Sequence, residues 1–221
     1  MRTSERPRVL AALGEQRGFC VMLTASRFAL KEWAVVARAL ARGQQVILLR
    51  KGGIRDEGGI FRLEHPEFFL YPTFEHQNRK FLRREFLADF DEALREQPLG
   101  ENLTLSVYAQ VTGVLMAKGL DAFRQLKPFH VWNDEFLEMR FSYKPELPLW
   151  VLIVRAYQVD PHSIAVRPEY AGCKSWVQLE QEVPVTGARP ALPDADFAGA
   201  DAAIRSRCSP PESPTSPLHS A

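Results

Sequence analysis

Two acid-imidazole dipeptides, Glu64-His65 and Glu75-His76, stand eleven residues apart on either side of the aromatic run Phe68-Phe69-Leu70-Tyr71. Imidazole titrates near neutral pH and a carboxylate beside it fixes its tautomer, so such pairs suit general acid-base chemistry or metal ligation. Adjacent side chains on a strand point to opposite faces, so at most one member of each pair serves a given site. Two histidines fall short of the usual three protein ligands of a catalytic zinc, and neither an HExxH motif nor the HxE-with-PCxxC signature occurs. The first reading therefore has no metal centre and no cofactor. Glu64, His65, Glu75 and His76 are left as the residues of a hydrolase or phosphodiesterase alternative that uses them around a metal or as an acid-base pair.

A second constellation is Leu49-Arg50-Lys51-Gly52-Gly53. Here an apolar run delivers two cations into a glycine pair whose backbone N–H groups can approach an anion closely. Phosphate is the chemistry this suggests, although the spacing is not that of a Walker loop and no GxGxxG follows a strand. The competing reading is a solvated turn. A third group lies in the second half, where Glu138 and Arg140 share one face of an expected strand and Arg155 interrupts the apolar Trp150 to Val159 run. A buried guanidinium needs a partner, either an internal carboxylate or a ligand. Whether Arg140 and Arg155 project together depends on strand register, since a slip of one residue reverses every side chain. Finally, Tyr170-Ala171-Gly172-Cys173-Lys174-Ser175-Trp176 sets a Cys and a Ser in a glycine-containing turn, with only distant bases such as His130 and His162. A buried structural cysteine explains that motif as well as a nucleophile does.

The elements that must position these groups follow from periodicity. Leu30, Trp33, Ala37 and Leu40 recur at helical spacing from Phe28 and Gly43 supplies the stop, which predicts an amphipathic helix. Val46 to Leu49 reads as a strand covered on both faces. Ile54 to Gln77, with its glycines and prolines, predicts short strands around loops, the apolar run Phe68 to Tyr71 among them. Arg79 to Gln97 restores helical spacing up to Pro98 and Gly100, and Asn102 to Thr112 alternates, with Leu103, Leu105, Val107, Ala109 and Val111 on one face. A short helix near Leu120 to Leu126 then precedes strands at Phe136 to Tyr143 and Leu149 to Val159, joined as a hairpin by Lys144 to Pro148.

Together these predict an α+β fold: a mixed or antiparallel sheet with two or three packing helices and a single core, over residues 28–182. Residues 1–27 lack sustained periodicity and read as a poorly ordered lead-in. Beyond Glu182, six of the sixteen prolines fall between Pro190 and Pro217 while aromatics nearly vanish, which predicts a disordered tail over residues 183–221. With 46% hydrophobic residues the chain can fill a core, and a net charge of +1 means that any attraction to nucleic acid must come from a local patch. Three cysteines without CxxC spacing speak against a disulfide framework and fit a reducing, cytoplasmic compartment. No apolar stretch is long enough for a membrane span.

Read together, Leu30-Lys31-Glu32-Trp33, Leu48 to Ile54, Phe61-Arg62-Leu63-Glu64-His65, Leu70 to Gln77, Leu152 to Arg155 and Tyr170 to Trp176 resemble a bacterial family, domain of unknown function 1802. The resemblance spans about residues 28–180. It implies no reaction, only an association with restriction-endonuclease-like domains and hence with defence against foreign DNA, although the chain shows no PD-(D/E)xK arrangement of its own. The sequence reading is a nucleic-acid- or phosphate-binding component of a bacterial defence or DNA-processing system, working with a possible partner nuclease. Arg50, Lys51, Gly52, Gly53, Arg62, Arg140 and Arg155 are its anion-binding residues, with Arg50, Lys51, Arg62 and His76 around one cleft. The hydrolase is one alternative. The other is a protein-interaction scaffold in which Phe68 to Tyr71 anchors a partner at the surface.

Overall fold

The computed structural model describes residues 22–51, 63–98, 100–117, 119–172 and 174–208. The chain runs β1 (Ala25–Trp33), α1 (Ala34–Ala41), β2 (Ile47–Lys51), β3 (Glu67–Thr73), α2 (Leu87–Arg95), β4 (Asn102–Met116), α3 (Leu120–Arg124), α4 (Asp134–Ser142), β5 (Leu149–Ala165), β6 (Trp176–Pro184), β7 (Arg189–Pro190) and α5 (Asp194–Arg205). Six strands form a path in the order β2-β5-β4-β3-β1-β6, and β7 pairs with β5. Among the described residues only β1 and β3 pair in parallel; the other ladders are antiparallel. The mixed sheet and the α+β class are thus as the sequence predicts.

The helix predicted from Phe28 is half strand. Phe28, Leu30 and Glu32 alternate through β1, and the chain turns helical only after Trp33, whose φ of −52° and ψ of 138° are extended. The helical spacing of Leu30, Trp33, Ala37 and Leu40 straddles this junction, so one apolar pattern served two elements. Gly43 ends α1 at a φ of +69°, where a Cβ would also lie 2.7 Å from the Leu192 side chain.

The expected strand Phe136 to Tyr143 is the helix α4. Asn133 caps it, its side chain accepting from the Phe136 N–H at 3.1 Å, and Asp134 and Glu135 lie in the first turn. A capping side chain and two acids complement the unpaired N–H groups of a helix start. There is accordingly no hairpin between this segment and β5, and Glu138 and Arg140, two residues apart on a helix, do not share a face. Arg79 to Gln97 is helical in part: two short 3-10 turns precede α2.

β4 alternates buried and exposed as far as Val107, but the expected single face is split. Leu103 and Leu105 pack in one core cluster with Tyr108, while Val107, Ala109 and Val111 pack in the other, with a register shift between Leu105 and Val107. Tyr108 and Gln110 are buried as well, because both faces of the sheet are covered there. Phe68, Phe69 and Leu70 are fully buried in β3, and Tyr71 is 8% exposed. This run is core, which removes the scaffold reading built on it as a surface anchor.

Beyond Glu182 the described chain stays structured to Cys208, so 183–208 differ from the expected tail; residues 209–221 lie outside the described residues. Ala191 donates to Ala156 at 2.9 Å, and α5 buries Phe197 and Ile204. Composition misleads here because an alanine-rich helix needs only two large apolar residues to dock. Ile204 is fully buried, so Ile204→Ala should cost about 2–5 kcal/mol. The check is a urea titration, and a loss under about 0.5 kcal/mol would mean that α5 does not dock as described.

Candidate anion-binding site

Arg50 and Lys51 close β2 directly after the buried Ile47-Leu48-Leu49. On the ladders, Arg50 lies opposite Trp150, which lies opposite Met116, while Glu32 lies opposite Pro72 near the other end of the sheet. Arg50 nevertheless forms an ion pair with Glu32, the side chains being 16% and 8% exposed. The strand stagger therefore carries the β2 edge around to the end of β1, as in a sheet curling towards closure.

Arg140 from α4 joins this pair. Its Nε is buried without a hydrogen-bond partner, as is the Nε of Arg50, and the Arg140 guanidinium makes no ion pair among the described residues. Burial, and then the like charge of Arg50, push the Arg140 pKa down, with Glu32 acting in the opposite sense. Lys51 donates through Nζ to the Phe141 carbonyl at 3.0 Å and stands 5.6 Å from the Phe141 ring centroid. Burial and then Arg140 lower its pKa, opposed by Glu146. Three cations thus converge from β2 and α4, with Glu32 the one carboxylate in ion-pair contact among the described residues.

Arg38, Arg42 and Arg155 are engaged elsewhere. Arg38 and Arg42 of α1 border a cleft of about 480 Å³ against the sheet, where Asp89, Glu92 and Glu96 engage them. Arg155 does not join the β2 cluster. It pairs with Asp194 and lies 5.2 Å from the Phe197 ring centroid, so this guanidinium fastens α5 to β5. Gly52, Gly53 and Arg62 lie outside the described residues.

The acid-imidazole pairs are separated. Glu64-His65 precedes β3 and Glu75-His76 follows it, and the seven residues of the strand span about 23 Å. His65 stacks on Phe28 with centroids 3.6 Å apart and meets Trp176 edge-on at 4.9 Å, and burial lowers its pKa. His76 is exposed at a φ of 61°. The four residues therefore do not form one catalytic centre, and no three His, Cys, Asp or Glu side chains gather as cation ligands among the described residues. Cys173 lies outside the described residues, while the Ser175 carbonyl accepts the Lys31 N–H at 2.8 Å.

Sequence reasoning missed Glu32. Its signal was there: an acid in step with Phe28 and Leu30, on the apolar phase of β1. An ion on a buried phase demands a partner, and the nearest strand-borne arginine after α1 is Arg50.

The family model described as domain of unknown function (DUF1802) matches residues 29–203, and the chain belongs to that family. No curated protein matches it in sequence. Two solved structures are similar in backbone: a point mutant of an ASCH protein from Zymomonas mobilis, at 10% identity and a TM-score of 0.43 over 71% of this chain and 92% of the other, and ASCH from Zymomonas mobilis, at 10% identity and 0.42 over 83% and 96%. No helix among the described residues is long and apolar enough to cross a membrane.

Proposed function

We propose that this chain binds phosphate-bearing ligands, nucleic acid foremost, through Arg50, Lys51 and Arg140. The observation that carries the reading is Arg140, whose charge acts on Arg50 and whose buried Nε has no hydrogen-bond partner among the described residues, where Glu32 is in ion-pair contact with Arg50 alone. Holding like charges together in a partly desolvated site costs free energy, and an anion that accepts from both removes the cost. Phosphate suits two guanidiniums and an ammonium because its oxygens accept several charge-assisted hydrogen bonds at once.

Arg140→Gln separates a ligand site from a structural one. Removing the charge relieves the repulsion on Arg50, so thermal stability should stay at the wild-type value or rise slightly. Binding of labelled oligonucleotides at low salt should weaken about tenfold or more, the worth of one charge-assisted contact. The log-log salt slope should flatten by about one. Wild-type protein that binds neither oligonucleotides nor inorganic phosphate at low salt would sink the proposal.

The finer reading, a cytoplasmic component of bacterial defence or DNA processing with a partner nuclease, is supported by the family resemblance. Co-purification of nuclease activity with the tagged chain from bacterial cells tests it, and a chain that purifies free of such activity would count against the partner.

A further inference from the structure

Resting on that reading, we infer that the ligand is single-stranded nucleic acid, with an unpaired base stacked on Tyr143. Tyr143 is 52% exposed, a large ring left in solvent at the end of α4. Its N–H donates to the Met139 carbonyl at 3.0 Å, which fixes the backbone that carries it, and Met139 is itself 38% exposed. Arg140 lies three residues earlier, in the last turn of α4. Lys144 follows in the left-handed region at a φ of 46°, an uncommon conformation for a lysine, and its Nζ lies 5.5 Å from the Tyr143 ring centroid.

Lys51 ties this ring to the cation cluster, because it bonds the carbonyl of Phe141, two residues before Tyr143. The surface therefore presents an exposed ring with Lys144 Nζ over one face, carried two residues beyond the carbonyl that Lys51 bonds and three beyond Arg140. Phosphates a short distance from an open ring describe a strand whose bases are free to stack. A duplex offers the same phosphates but hides its base faces, so Tyr143 would gain nothing from it.

The experiment measures fluorescence anisotropy of the full chain with a labelled 12-nucleotide single strand, as DNA and as RNA, and with the matching duplexes, across a range of salt. Single strands should bind more tightly than duplexes at equal salt. Tyr143→Ala should weaken single-strand binding about tenfold, leave duplex binding and the salt slope unchanged, and be rescued by Tyr143→Trp. The DNA and RNA arms show which backbone is preferred. Equal or tighter duplex binding, or a Tyr143→Ala variant that binds single strands as wild type does, overturns this inference. If duplex still depends on Arg140, the phosphate site stands and only the stacking is lost. If the wild-type chain binds no polyanion, both fall together.

Discussion

Arg50→Glu is expected to destabilise the fold by about 3–5 kcal/mol, a drop of roughly 10 °C in Tm for a domain of this size. Arg50 is the ion-pair partner of Glu32, which is 8% exposed at the end of β1. Reversal removes the only cation in ion-pair contact with that carboxylate among the described residues and puts a second carboxylate against it. The outcome distinguishes two roles inside one cluster. Lys51→Glu, whose ammonium contacts a carbonyl and a ring and not an acid, should cost far less stability while weakening oligonucleotide binding by a similar factor. Arg50→Glu combined with Glu32→Arg should recover part of the lost Tm, because the pair is restored in the opposite sense. A single Arg50→Glu variant that melts within about 2 °C of wild type would show that the Glu32 contact does not hold the β2 edge against β1. Loss of binding in that variant could then be read as loss of a ligand contact alone.

This double role explains what was legible in the sequence. The apolar run into Arg50 and Lys51 located the end of a buried strand because four consecutive apolar residues and a glycine boundary are local signals. The partners were not local. Glu32 comes from a strand four places away across the sheet, brought round by stagger, and Arg140 comes from a segment whose alternation imitates a strand while its Asn133 cap makes it a helix. Arg155, which reads much like Arg140 in sequence, ends in a pair with Asp194 from an element that composition hid altogether. The Glu-His dipeptides show the reverse case. Their residue types suit catalysis, yet β3 runs between them and holds them at its two ends.

The stability of the fold should fall as the pH drops from about 6.5 towards 3, through His130. This imidazole is fully buried between α3 and α4, its pKa pushed down to about 3 by burial first and by the charge of Arg83 second, while the backbone of Phe123 and Trp132 offsets part of that. Arg83 also donates to the His130 carbonyl at 2.7 Å, so the cation is fixed beside it. The folded chain holds the ring neutral and the unfolded chain protonates it near 6.5, so between these values unfolding takes up a proton. The contribution is therefore complete above the unfolded pKa and is lost on acidification, by about 2 kcal/mol at pH 5. Free Asp and Glu side chains titrate near about 4, below this range, which makes the interval from 7 to 5 the one to measure. His65, whose pKa burial also lowers, acts with the same sign. Urea midpoints for wild type, His130→Gln and His65→Gln at pH 7, 6 and 5 apportion the effect. His130→Gln should remove most of the slope even if it lowers stability at every pH, since glutamine has no proton to take up. A variant that keeps the wild-type slope would place the acid-sensitive group elsewhere and would mean that His130 gains access to water before the chain unfolds.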